Sequence, residues 1–101
     1  MIVIHAVFPI TPDKREKALD LVEDLVAGSN EEEGVIEYRV GADVSDPNVL
    51  RFYECYEDET AFEAHGETDH FGAFEAALPD LLAGEPEVTR FDVESATELE
   101  V

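Results

Sequence analysis

Apolar residues repeat along this chain with two different periods, and the order in which the periods alternate leaves few folds open. Residues 2–8 alternate as a strand does, with Val3, His5 and Val7 on one side and Ile4 and Ala6 on the other. Thr11-Pro12 then reads as a helix cap followed by proline at the first helical position. Ala18, Leu19, Val22, Leu25 and Val26 form a helical stripe, and Gly28 is its natural stop. A polar turn over 31–34 leads to a second strand, 35–40, with Ile36, Tyr38 and Val40 on one face and Glu37 and Arg39 on the other. Asp46-Pro47 marks the turn to a third strand, 49–57, where Phe52, Glu54 and Tyr56 oppose Arg51, Tyr53 and Cys55. Asp58 caps a short helix carrying Ala61, Phe62 and His65, and Gly66 interrupts it. Thr68 or Asp69 restarts it, with Phe71, Phe74, Leu78, Leu81 and Leu82 as its stripe, and Pro79 kinks or ends it. The last strand spans 87–93.

The order β-α-β-β-α-β predicts an α+β, ferredoxin-like fold: a four-stranded antiparallel sheet with both helices on one face. Residues 1–94 form the single domain, and 95–101 an acidic tail. The helix-free face would carry Val3, Val7, Tyr53, Cys55, Phe91 and Val93, too apolar a set to leave in water. It predicts a homodimer formed by packing sheet on sheet.

Charge limits the partners. Twenty-six acids face six bases in 101 residues, a net charge of -20. Disorder by composition requires few aromatics and weak patterning, and neither holds. The acids suit a folded protein in a salt-rich cytoplasm, where repulsion is screened within about 3 Å at 1 M salt. Nucleic acid and anionic membranes are poor partners, because phosphate binding needs a basic patch. No apolar run approaches a membrane span and no signal peptide is evident, so the expected location is cytoplasmic. The single cysteine, Cys55, excludes an internal disulfide and reads as a buried, inert thiol.

Glu33-Gly34, Tyr38, Asp46-Pro47, the strand from Phe52 to Tyr56, Glu57-Asp58-Glu59, His65 and His70-Phe71 follow in an order that resembles antibiotic biosynthesis monooxygenase domains of the dimeric α/β-barrel superfamily. The resemblance extends from Ile2 to about Val93. It implies one of several activities. Some members oxidise phenols or quinols with oxygen and no metal, flavin or haem; some isomerise a phosphorylated sugar derivative; some open the haem ring; several have no known reaction. Haem chemistry fits poorly, because the positions that matter there hold Ala6, Tyr56 and Phe74, leaving no axial histidine.

The expectation is therefore a cofactor-independent oxygenase of a small electron-rich phenol or quinol. His65 would be the base, Glu54 and Tyr56 the orienting or relay groups, and Tyr38, Phe52, His70, Phe71 and Phe74 the substrate-binding wall. Two alternatives stay open: an isomerase or lyase of a small hydroxy-ketone, and a non-catalytic dimeric ligand-binding domain. Each of these residues also has a plain structural role available, as a helix cap or as core. No metal is expected, because His65 and His70 are five apart across a glycine and do not share a helical face. For the same reason the two histidines are not expected to act as a pair.

Overall fold

Two strands that never follow one another in the chain lie at the centre of the sheet. A computed structural model describes all 101 residues. In it β1 (Ile2–Pro9) is flanked by β3 (Val49–Tyr56) and β4 (Glu87–Asp92), and β2 (Val35–Ala42) pairs with the outer side of β3. The order is β2-β3-β1-β4, and all pairs are antiparallel. Three α-helices complete the fold: α1 (Arg15–Asn30), α2 (Glu59–Gly66) and α3 (Asp69–Leu81). The order predicted from the apolar periods is the observed one, with the second helical stretch divided at Gly66.

The helices cover one sheet face, and burial follows strand parity. Ile2, Ile4, Ala6 and Phe8 of β1 are buried, while the residues between them are only half covered. Phe52, Glu54 and Tyr56 of β3 share that inner face; Phe52 packs with Tyr38 of β2 and Val22 and Leu25 of α1, and Tyr56 with Ile2, Ile4 and Ala61. Each large apolar side chain removed from water here contributes about 1.5–3 kcal/mol. The outer face shows Tyr53 42% and Phe91 50% exposed, with His5 in register between Tyr53 and Thr89. Cys55 is free and buried.

Four local expectations are corrected. A bulge between Val35 and Glu37 shifts the register of β2, so Val35 packs inward and Ile36 is 54% exposed. Beyond the bulge, the Asn30 side chain accepts from the Tyr38 N–H at 3.2 Å and donates to the Tyr38 carbonyl at 3.0 Å, standing in for a strand neighbour at the sheet edge. Gly28 does not stop α1, which continues to Asn30. Thr11 makes no side-chain cap; the chain turns through a 3₁₀ segment, Pro12–Lys14, before α1 begins. Pro79 lies inside α3, which ends only at Leu81.

The break at Gly66 is held by hydrogen bonds. Asp58 caps α2 by accepting from the Ala61 N–H at 2.8 Å. Thr68 closes the gap to α3: its hydroxyl donates to the His65 carbonyl at 2.8 Å and accepts from the Phe71 N–H at 3.3 Å. One side chain thus ties the end of one helix to the start of the next. That tight joint, rather than a common helical face, brings residues 65 and 70 to the same side.

Candidate active site

His65 and His70 meet on one carboxylate, although their spacing gives them no common helical face. His65 Nδ1 lies 2.9 Å from Glu32 Oε2, and His70 Nε2 lies 2.6 Å from the same oxygen. A carboxylate offers only lone pairs, so the two ring nitrogens facing it are the protonated ones and both donate. In its neutral form His65 then carries a lone pair on Nε2. That nitrogen is buried and has no hydrogen-bond partner. An unpartnered buried acceptor is costly, and it is the form in which an imidazole accepts a proton. Tyr38, Tyr56 and Phe71 hold the ring, with centroids 5.2, 5.5 and 5.1 Å away.

Sequence reasoning misses Glu32 as a site residue. It belongs to the run Glu31-Glu32-Glu33, which reads as a solvated turn. Its neighbours are exposed as such a turn requires, while Glu32 is folded inward with its side chain only 13% exposed. The one available signal is a glycine two residues later, Gly34, which bends the chain with φ 90°. Gly28 has an explanation here too: a Cβ at that position would lie 2.6 Å from His70 Nδ1. A glycine is needed so that the His70 ring can lie against α1. Gly28→Ala should therefore push His70 off Glu32 and leave His65 in place. Stability should change by less than about 1 kcal/mol, because the helix gains propensity as the contact is lost. Imidazole resonances in NMR would report the displaced ring, and an unmoved His70 would refute this account.

Glu54 lies on the inner face, which settles its parity. Arg39 and Arg51 lie on the outer face and are not its partners; Arg51 instead holds Asp43 at 2.7 Å. The Tyr56 phenol donates to Glu54 Oε1 at 2.6 Å. Burial raises the Glu54 pKa above the ordinary carboxylate range, against the opposing pull of the Tyr56 hydrogen bond, of His65 and of Tyr38. The Tyr56 and Tyr38 phenols are pushed far up, by burial first and then by the Glu54 charge. Both therefore remain hydrogen-bond donors across the usable pH range, and neither can serve as a base.

A cavity of about 430 Å³ lies between the sheet and the two short helices. Its walls are Ile4, Ala6, Phe8, Phe62, Phe71, Phe74, Leu78 and Val88, and its polar groups are His65, Glu54 and Glu63. No lysine or arginine lines it. Phe71 and Phe74 reach the cavity directly. Tyr38 and Tyr56 flank His65, and Phe52 stacks behind Phe74 with centroids 5.5 Å apart. His70 stands on the far side of His65, against Glu32. A larger and more open groove of about 820 Å³ runs between α1 and β2, but it contains neither imidazole nor Glu54. The smaller cavity is the one that brings an imidazole and a buried carboxylate to an apolar wall.

Comparison with known proteins agrees with the fold and adds a family. The sequence profile of the antibiotic biosynthesis monooxygenases matches residues 1–77. A Bacillus subtilis protein named "Putative monooxygenase YcnE" is 36% identical over 93 residues, covering 92% of this chain and 98% of its own length. A Caulobacter crescentus structure described as a "putative antibiotic biosynthesis monooxygenase" superposes with a TM-score of 0.86 at 27% identity, covering 93% of this chain and 90% of that one. Rv0793 from Mycobacterium tuberculosis shares the fold, with a TM-score of 0.88 at 21% identity over 96% of this chain and 98% of that one.

Proposed function

The chain belongs to the antibiotic biosynthesis monooxygenase family, and on that premise we propose that it oxidises a small, neutral, electron-rich phenol or quinol with molecular oxygen, without a bound cofactor. The observation that carries this is His65: oriented by Glu32 through Nδ1, free at Nε2, and set in the wall of an apolar cavity. His65 Nε2 takes the proton of the substrate hydroxyl. The resulting anion gives electrons to oxygen, a carbon–oxygen bond forms on the ring, and loss of water leaves the quinone. Phenol plus O₂ balances as quinone plus H₂O, so the substrate itself supplies the electrons. Glu54, with its raised pKa, can carry a proton and donate to the developing oxyanion, while Tyr56 fixes its orientation. The apolar wall excludes water from the anion.

A cavity with two carboxylates and no cation favours an uncharged substrate. That weighs against the isomerase alternative wherever its substrate carries phosphate. The test is oxygen uptake by the purified protein in potassium chloride, on a panel of dihydroxy-aromatics with no added cofactor. Uptake should vanish in His65→Ala and survive in His5→Ala, whose side chain lies on the opposite sheet face. No uptake across the panel, with proton exchange on a hydroxy-ketone instead, would replace this proposal by the isomerase.

The exposed Tyr53 and Phe91 support a homodimer that covers the helix-free face. Analytical ultracentrifugation should give twice the 11.2 kDa chain mass, and Tyr53→Glu combined with Phe91→Glu should return it to monomer. A wild-type monomer at high salt would refute this.

A further inference from the structure

The carboxylate that orients His65 is also the centre of a donor set completed by His70, for which the proposed oxygenase reaction has no use. Glu32, His65 and His70 each offer one ligand atom, and these atoms lie within 4.8 Å of one another. They come from three segments: the turn after α1, the end of α2 and the start of α3. We propose that these three side chains bind one divalent transition-metal ion, with zinc as the best match, and that the ion switches off His65 as a base.

Two imidazoles and one carboxylate suit zinc, cobalt or nickel, whereas magnesium and calcium prefer all-oxygen sets. A tetrahedral ion with bonds of about 2.0–2.1 Å holds its donors about 3.3 Å apart. The nitrogens now stand 2.9 and 2.6 Å from Glu32 Oε2. The two nitrogen–oxygen distances have to open by less than about an ångström, and the two nitrogens, within 4.8 Å of each other, have to draw together, for an ion to take the place of the two N–H hydrogens. Three protein ligands leave a fourth position for water. His70 is the most exposed of the three, its side chain 24% accessible against 4% for His65, so the ion enters from the His70 side. The set is also braced from behind. Gly28 backs the His70 ring, and the Thr68 hydroxyl holds the His65 carbonyl. The exposed Glu31 and Glu33 are not part of it.

The consequence for His65 follows from its two nitrogens. An ion on Nδ1 takes the lone pair there, so the ring's single proton moves to Nε2. The nitrogen that would accept the substrate proton then carries one and can only donate. His70 likewise moves its proton from Nε2 to Nδ1. The switch rests on the assignment of His65 as the base; the ion site does not.

The test uses the whole chain, stripped with chelator and held in about 1 M potassium chloride to screen the acidic surface. Zinc is titrated by calorimetry, cobalt by visible absorption, and the three histidines are followed by long-range ¹H–¹⁵N NMR. One ion per chain should bind. His65 Nδ1 and His70 Nε2 should shift while His5 does not. Glu32→Gln and His70→Ala should each weaken binding by more than the tenfold to hundredfold typical of outer-shell changes. Glu31→Gln and excess magnesium should have no effect. The wild-type NMR arm stands even if a variant fails to fold. Absence of binding, full binding in Glu32→Gln, or equal shifts in all three histidines would overturn the site. Equimolar zinc should also abolish oxygen uptake, and chelator should restore it; undiminished uptake at saturating zinc would overturn the switch. Zinc binding without any oxygen uptake on the panel would refute the oxygenase and support the ion site. Uptake without zinc binding would do the reverse.

Discussion

Replacing His65 by alanine is expected to lower kcat/KM for oxygen-dependent turnover by about 10²–10⁴, the range a positioned general base contributes. The effect should fall on kcat more than on KM, because the proton leaves the substrate in the transition state and His65 forms only one of the cavity's many walls. Glu32→Gln is the companion measurement. Both rings meet the same carboxylate oxygen, so the amide either keeps a weaker, neutral acceptor there or turns its NH₂ to both rings, and the Nδ1–H tautomer of His65 is held less firmly. Its loss should be smaller than that of His65→Ala, with an altered pH profile of kcat/KM. An unaltered rate in His65→Ala, measured on a substrate that His5→Ala also turns over, would remove the base from this mechanism.

Removing one phenol oxygen should have the largest effect on stability among conservative changes at the site. Tyr56→Phe leaves Glu54 Oε1 without its 2.6 Å donor inside a buried face. A hydrogen bond to a charged group contributes about 1.5–3 kcal/mol, a large share of the roughly 5–15 kcal/mol that holds a domain folded. The cost should depend on pH. Burial holds the Glu54 pKa above its unfolded value, so the folded state binds this proton more tightly than the unfolded chain does. The stability contributed by that proton is fully present below the unfolded carboxylate value and is lost as pH rises through the folded value. Tyr56→Phe removes an interaction that lowers this pKa, so the variant should lose stability more steeply on going alkaline. Urea unfolding at several pH values from about 4 to about 8 would show the two curves diverging upward in pH. Parallel curves would mean that Glu54 is not charged behind Tyr56.

Both predictions depend on a face assignment that local sequence supplies only in part. Alternation along residues 49–57 puts Phe52, Glu54 and Tyr56 on one side, as observed, but cannot say which side the helices cover. The bulge at Val35 escapes detection because it is a matter of how β2 pairs with β3, and the contact of Asn30 with the Tyr38 backbone because it joins a helix end to a strand. Gly28 reads as a helix stop, since glycine commonly ends helices; in the fold it makes room for an imidazole 42 positions further along. Glu32 is hidden among three acids whose individual directions no periodicity distinguishes.

What the sequence alone determined is whatever depends on neighbours a few residues apart: the order of strands and helices, the cap at Asp58 and the alternation of β1. Those features are encoded in periods of two and 3.6 residues and in short side-chain reaches. Tertiary structure alone decided that Glu32 meets His65 across 33 positions and His70 across 38, and that an apolar cavity opens beside them. Packing α1 against the α2–α3 joint is what joins the three. The spacing of His65 and His70 argues against their pairing only when it is measured along a helix, and between these residues the helix is broken.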